Sequence, residues 1–251
     1  MAGSNNRLLS KTSATYIAVG VALMTLMTLI GTSAFLRVVE IRVEGTSQYS
    51  AREVSEASGV SKGDSLMRVN KQRVSGNILR ALPFVKEVRI SRKLPDILLV
   101  EVTESTAIAA IYFAGDNLII DSAARVLMSM DESPGDLIEI RGIEITDVRE
   151  GEPPRVELGA ETKLQYIQDI LAAMEREEME KDVSYLDVSN ISNIHFGYLD
   201  RYRVILGGVR DLKHKLGRLP SDIVRLELRY PNTPGDINMT DPSGDVRFMP
   251  G

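Results

Sequence analysis

The sequence predicts an α+β chain with a single N-terminal transmembrane helix, a compact β-α-α-β-β module and a larger α+β domain built on an antiparallel sheet. Three observations predict it. Residues 12–36 carry no charge and lie between Lys11 and Arg37. Apolar and charged residues then alternate with the period of a half-buried strand from Val38 to Gly45. Beyond residue 107, short apolar runs are separated by turn signals such as Gly115-Asp116-Asn117. The expected organisation is a cytoplasmic tail over 1–13, the transmembrane helix over 14–36, the first module over 37–104, and the second domain with a short C-terminal tail over 105–251.

The charge-free stretch is long enough to cross a bilayer, whose core of ~30 Å takes about 20 helical residues. The competing reading is a cleaved secretory signal, with Ile17 to Ile30 as its apolar region and Thr32-Ser33-Ala34 as a small-residue cleavage site. Phe35 and Leu36 continue the apolar run past that site, which favours the anchor. Arg7 and Lys11 flank one end, and Arg37 and Arg42 flank the other, so basic residues tie. The short tail and the large following domain instead favour a cytoplasmic N-terminus with the C-terminal domains outside. A net charge of −5 argues against nucleic acid as a partner. The absence of Cys excludes disulfides and thiolate metal sites.

In the first module, Val39, Ile41 and Val43 share one strand face, with Glu40, Arg42 and Glu44 on the other. Ser50-Ala51-Arg52-Glu53 has capping-box spacing and opens a helix that Gly59 ends. A second helix from about Asn70 places Val74, Ile78 and Leu82 four residues apart and stops at Pro83. Strands over Val85 to Arg92 and Ile97 to Thr103 follow, joined by Lys93-Leu94-Pro95-Asp96.

In the second domain a meander runs through residues 107–128, followed by a strand from Leu137 to Arg141 and a polar loop over Arg149 to Arg155. A helix is expected over Glu161 to Lys181, its Glu175-Arg176-Glu177-Glu178 end a solvated face. Strands then follow at Tyr185 to Val188, Ile194 to Phe196 and Tyr202 to Leu206. A last helix starts near Val209 with a break at Gly217 to Ser221. Asp236 to Met239 and Val246 to Phe248 are two closing strands.

Little in the chain points to catalysis. His195 and His214 have no Cys to join and read as structural or surface residues. No zincin, nucleophile-elbow, P-loop or dinucleotide motif occurs, and Gly207-Gly208 lacks the Lys-Ser/Thr of a phosphate loop. Asp182 and Asp187 could serve as an acid/base pair, although any acidic chain supplies such pairs. A binding module needs an exposed recognition element instead, and the last strand of a sheet offers unpaired backbone groups at its edge. The plainer alternative is that Val246 and Phe248 only cover the domain's own core.

The residues quoted resemble a known family. The strand VEGTSQYS, the helix pair and LPFVKEVRISRKLPDILLVEVTE resemble the polypeptide-transport-associated (POTRA) domain of the bacterial cell-division proteins FtsQ and DivIB. Pro83, Val85, Val88, Ile90, Arg92, Pro95, Leu98, Val100, Val102 and Glu104 fit that family's spacing. Gly115 to Leu127, Val204 to Leu216 and Gly235 to Pro250 match its second domain, with Ala124 where Gly is usual and Asn238 where an acid is usual.

The resemblance implies a division-site scaffold in the cell membrane at the septum, and no enzyme or cofactor. Its partners would be FtsB/DivIC-like and FtsL-like single-pass proteins and the septal peptidoglycan synthase. The FtsB/DivIC strand would be received at Ile237, Met239, Val246, Arg247 and Phe248. A POTRA-bearing chaperone or translocation component is the alternative, but such proteins continue into a barrel of at least eight strands, and the helices here do not suit one. A membrane-anchored wall hydrolase is a third reading, and it requires a catalytic cleft.

Overall fold

A computed structural model describes residues 15–25, 27, 36–132, 135–241 and 246–251. The transmembrane expectation is the first correction. Residues 15–25 and 27 are helical. Among the described residues no helix is long and apolar enough to cross a membrane. Residues 14, 26 and 28–35 of the expected helix, the proposed cleavage site among them, lie outside the described residues.

The chain forms two compact units, Met1–Ile78 with Glu87–Val102, and Leu79–Lys86 with Thr103–Gly251. In the first, β1 (Glu40–Glu44) lies parallel to the central β3 (Ile97–Glu104), with Glu40 opposite Ile97 and Glu44 opposite Glu101. β2 (Val85–Lys93) holds the other edge. Helix α1 (Ala51–Ser58) starts at the expected capping box: Ser50 Oγ accepts from the Glu53 N–H, and the Glu53 carboxylate accepts from the Ser50 N–H. These two bonds satisfy two donors that a helix start otherwise leaves open. The apolar positions of α1 and of α2 (Lys71–Ala81), namely Val54, Val74 and Ile78, are buried, as are Leu98 and Val100 of β3.

The second unit is built on nine strands in the order β14-β13-β12-β11-β10-β7-β4-β5-β6. Along the chain these are β4 (Ala109–Phe113), β5 (Asp116–Ile120), β6 (Val126–Met130) and β7 (Ile138–Arg141). They continue with β10 (Val183–Asp187), β11 (Ile194–Tyr198), β12 (Tyr202–Gly207), β13 (Gly235–Asn238) and β14 (Arg247–Pro250). β8 (Ile145–Asp147) and β9 (Arg155–Val156) form a separate ribbon. The sheet is mixed and not antiparallel throughout, because β4/β7, β7/β10 and β12/β13 pair in parallel. The last two of these pairs are spaced in the chain by helices α3 (Glu161–Arg176) and α4 (Leu212–Arg229), the long connections that parallel pairing requires.

Ile167, Ile170, Leu171 and Met174 of α3 and Leu216, Leu219 and Ile223 of α4 are buried in one cluster with Ile138, Leu186, Phe196, Val204 and Ile237. Each such side chain contributes roughly 1.5–3 kcal/mol. The opposite face of the sheet carries Arg141, Tyr185, Asp187, His195 and Arg203. Tyr185 lies over Gly197 there, so closely that a Cβ at 197 would sit 2.6 Å from its ring.

Two helix boundaries differ from expectation. α3 ends at Arg176 and not near Lys181, because Glu178 adopts a left-handed φ of 55°. α4 runs unbroken through Pro220. Ser221 Oγ donates to the Arg218 carbonyl at 2.7 Å, and the buried stripe Leu212-Leu216-Leu219-Ile223 continues across the proline. Burial of those four side chains outweighs the ~3 kcal/mol cost of an internal proline.

Candidate functional site

A sheet of nine strands that does not close has two edges, and they differ. At β6 the chain covers its own edge. The Val126 N–H donates to the Glu152 carbonyl at 3.0 Å, and the Gly151 N–H donates to the Val126 carbonyl at 2.8 Å. The β5/β6 register slips between Ile119 and Ile120, leaving Leu127 bulged. Bulging and loop cover are the usual means of blunting an edge.

The turn that leads into β6 is held by a buried carboxylate. Asp121 is 2% exposed and accepts from the Ala123 and Arg125 N–H groups, the Ser105 hydroxyl and the Arg125 guanidinium. Ala124, within that turn, has a φ of 56° and is fully buried.

At β14 no strand among the described residues pairs with the outer side. Its inner side is in register with β13: Gly235 opposite Pro250, Asp236 opposite Met249, Ile237 opposite Phe248 and Asn238 opposite Arg247. The Gly235 N–H donates to Arg201 on the β12 side, and the Gly251 N–H donates to the Pro234 carbonyl. Antiparallel alternation then directs the backbone groups of Arg247 and Met249 toward β13. Those of Phe248 point outward, with Val246 and the Pro250 carbonyl in the same phase.

Gly235 permits this pairing. A Cβ there would lie 2.3 Å from the Met249 carbonyl oxygen and 2.9 Å from the Phe248 ring.

The five residues expected to receive a partner strand fall into three groups. Ile237 and Met239 are buried and belong to the core. Val246 and Phe248 are half-buried against that core while lying in the outward backbone phase. Arg247 is exposed on the other face and reaches Asp241 at 3.3 Å. The plainer reading of Phe248 therefore holds for its side chain, which packs edge-on to Tyr202 at 6.2 Å and tilted against Tyr230 at 5.2 Å.

These two tyrosines sit in a polar knot beneath the edge. The Tyr202 hydroxyl donates to Glu227, which also accepts from the Asn232 N–H and pairs with Arg201 at 2.5 Å. The hydrogen bonds from Tyr202 and Asn232 hold the Glu227 carboxyl below its ordinary value, while burial pushes the Tyr202 phenol up. Sequence reasoning missed Tyr202, Tyr230 and the exposed Met249. Tyr230, coming directly after a helix that ends in Arg229, was the available signal.

The other residues considered stay apart from this edge. His195 faces Asp187 at 3.9 Å and Tyr185 edge-on. Asp187 caps the Ser189 N–H, and Asp182 closes a short 3₁₀ turn.

Comparison with known proteins bears on the family and not on this edge. Residues 36–105 match the family described as POTRA domain, FtsQ-type. The cell division protein DivIB of Clostridium tetani is 23% identical over 225 residues, 89% of this chain and 83% of the relative. FtsQ of Corynebacterium glutamicum is 32% identical over 130 residues, which are 50% of this chain and 57% of that protein. FtsQ of Streptomyces bingchenggensis is 26% identical over 176 residues, or 70% and 64%. The chain thus spans less than two thirds of the two FtsQ relatives. Residues 36–105 thus match an FtsQ-type POTRA domain, and the chain as a whole is similar to bacterial cell division proteins named FtsQ and DivIB.

Proposed function

We propose that the chain is a non-catalytic scaffold of the division site whose β14 edge takes up a strand from an FtsB/DivIC-like partner. Residues 37–104 and 105–251 would act as its two working modules. FtsL would be held alongside, close to the septal peptidoglycan synthase, so that the chain assembles or regulates septal wall synthesis. The observation that carries this reading is the contrast between the sheet's edges, since the outward N–H and C=O of Phe248 leave room for a further strand. Strand addition draws its affinity from such main-chain bonds and its specificity from the side chains that flank them.

The test is in-cell crosslinking and capture of the full chain, beside Phe248→Pro and Val246→Pro. Proline at an outward-facing position removes a donor that β13 does not use, so β14 keeps its inner pairing. Capture of small FtsB/DivIC-like and FtsL-like proteins and a septal synthase, lost in both variants at unchanged melting temperature, supports the proposal. The same partners retained by folded variants would remove β14 from it. Capture of barrel-assembly components would favour the POTRA-bearing transport reading.

A further inference from the structure

The two modules carry opposite net charge. Residues 37–104 hold twelve Lys/Arg against nine Asp/Glu, whereas residues 105–251 hold sixteen against twenty-six. The basic excess is concentrated, since residues 61–80 hold five Lys/Arg and a single acid, Asp64. Helix α2 opens with Lys71 and Arg73 and has no acid in its first turn. Cations there oppose the positive end of the helix dipole, so helix stability does not account for them.

Part of this charge converges on a cavity of about 390 Å³ between the end of α1 and the start of α2, within the size range of small-molecule sites. Arg68 and Arg73 line it, and their exposed side chains make no ion pair or hydrogen bond among the described residues. Arg92 of β2 adds a third cation beside it. Its Nη2 donates to the carbonyl of Val69, a lining residue, at 2.7 Å, and its buried Nε has no partner among the described residues. Buried donors are normally satisfied, and Arg42, Arg52 and Arg89 of the same module are all ion-paired.

Asp64 is the one acid on the wall. Its Oδ2 accepts from the Ser61 N–H at 2.9 Å, and it pairs with none of the three arginines. Ser65, half-buried on the wall, caps nothing with its hydroxyl. Asn70 accepts from the Arg73 N–H through Oδ1 at 3.1 Å, which leaves its amide N–H groups to donate. Val60, Val69 and Val74 supply an apolar part of the lining.

We infer that this cavity binds a phosphate ester, its phosphate held by the Arg68 and Arg73 guanidiniums with Ser65 and Asn70 as further donors. Two planar forks suit the several oxygens of a phosphate, where one fork would satisfy a carboxylate. The valines take the organic portion. Asp64 opposes a second anionic group, so a single phosphate suits the cavity better than a pyrophosphate. Soluble phosphate esters and phospholipid headgroups share this chemistry, and the test separates them.

The test is calorimetric titration of the full chain with glycerol 3-phosphate and with pyrophosphate, beside flotation with vesicles of phosphatidylcholine alone or with added phosphatidylglycerol. Glycerol 3-phosphate is expected to bind more tightly than pyrophosphate, and Asp64→Asn to narrow that gap. R68E with R73E should weaken binding roughly tenfold or more. Both side chains are exposed and an acid in the first turn suits α2, so this variant keeps its melting temperature. R68K with R73K keeps the charge but loses the forks, and should weaken binding less. R89E with K93E makes the same charge change on residues that do not line the cavity, and should alter binding less than about twofold. Binding of glycerol 3-phosphate without vesicle binding assigns a soluble ester. Flotation that needs phosphatidylglycerol and is lost in R68E with R73E assigns a headgroup. No binding of either kind, binding unchanged in R68E with R73E, or equal weakening by R89E with K93E overturns the inference.

Discussion

The two edges of the nine-stranded sheet are made from similar material and finished differently. β6 and β14 are both short, and each bears a methionine on an exposed face, Met128 and Met249. β6 is bulged and hydrogen-bonded to the loop through Glu150 to Glu152, and the Asp121 turn braces its start. β14 keeps regular register for its full length, and proximity to β13 is secured by a glycine. An uncovered edge invites pairing with other chains, so a sheet that closes one and leaves the other has a direction in which it can grow.

The largest expected effect breaks the open edge. Gly235→Ala places a methyl group against the Met249 carbonyl, and relieving such a clash costs about 1–3 kcal/mol. The amides of Arg247 and Met249 should then lose most of their hydrogen-exchange protection, and strand binding at β14 should be lost, while β6 amides are unaffected. Equal loss at both edges would mean that β14 is not an independent element. The converse experiment opens the closed edge. Gly151 has a φ of 81° and donates to Val126. Gly151→Pro forbids that conformation and removes the donor, at a cost of about 2 kcal/mol. Self-association should follow, measured by sedimentation, if loop cover is what keeps β6 unpaired. A monomeric Gly151→Pro would show that the bulge is sufficient.

A smaller effect concerns acid. The folded Glu227 carboxyl titrates below its ordinary value of 4.5. Its contribution is therefore complete above that value and is lost as pH falls through the lower folded one. Below about pH 4.5 the support under β14 should loosen before the β6 edge does. Glu227→Gln should flatten that part of the stability curve, and an unchanged slope in the variant would remove Glu227 from the account. The smallest effect is at β6. Ala124→Gly relieves a left-handed alanine, a gain of about 1–2 kcal/mol offset by about 0.4–1 kcal/mol of unfolded-state entropy. A rise in melting midpoint equivalent to roughly 0–1.6 kcal/mol is expected in thermal unfolding.

Much of the fold was legible because it rests on local signals. The Ser50-Glu53 capping box, the alternation of Glu40 to Glu44 and the apolar spacing of α3 each follow from neighbours within a few residues. Sheet order was not legible, since pairing β7 with β4 and β10 joins residues 29 and 46 positions apart. Pro220 misled because a local rule was overridden by a buried stripe that sequence spacing showed but did not weigh. The charge-free N-terminal run promised a spanning helix, yet among the described residues no helix is long and apolar enough to cross a membrane. At the edge, Val246 and Phe248 were visible as a strand, but which backbone groups face outward depends on register, and register depends on Gly235 meeting Pro250. The tyrosines beneath Phe248 come from β12 and from the residue after α4, so no contiguous pattern could announce them.

β13 is hydrogen-bonded in parallel to β12 on one side and antiparallel to β14 on the other. A pull on a guest strand, directed along β14, would load every rung of that ladder together, and β13 would pass the load to β12 and the sheet behind it. A pull at right angles would open the rungs one after another. The same contact would thus hold under tension along the strand and release when peeled, which makes the direction of force, as much as affinity, a determinant of how long a partner stays.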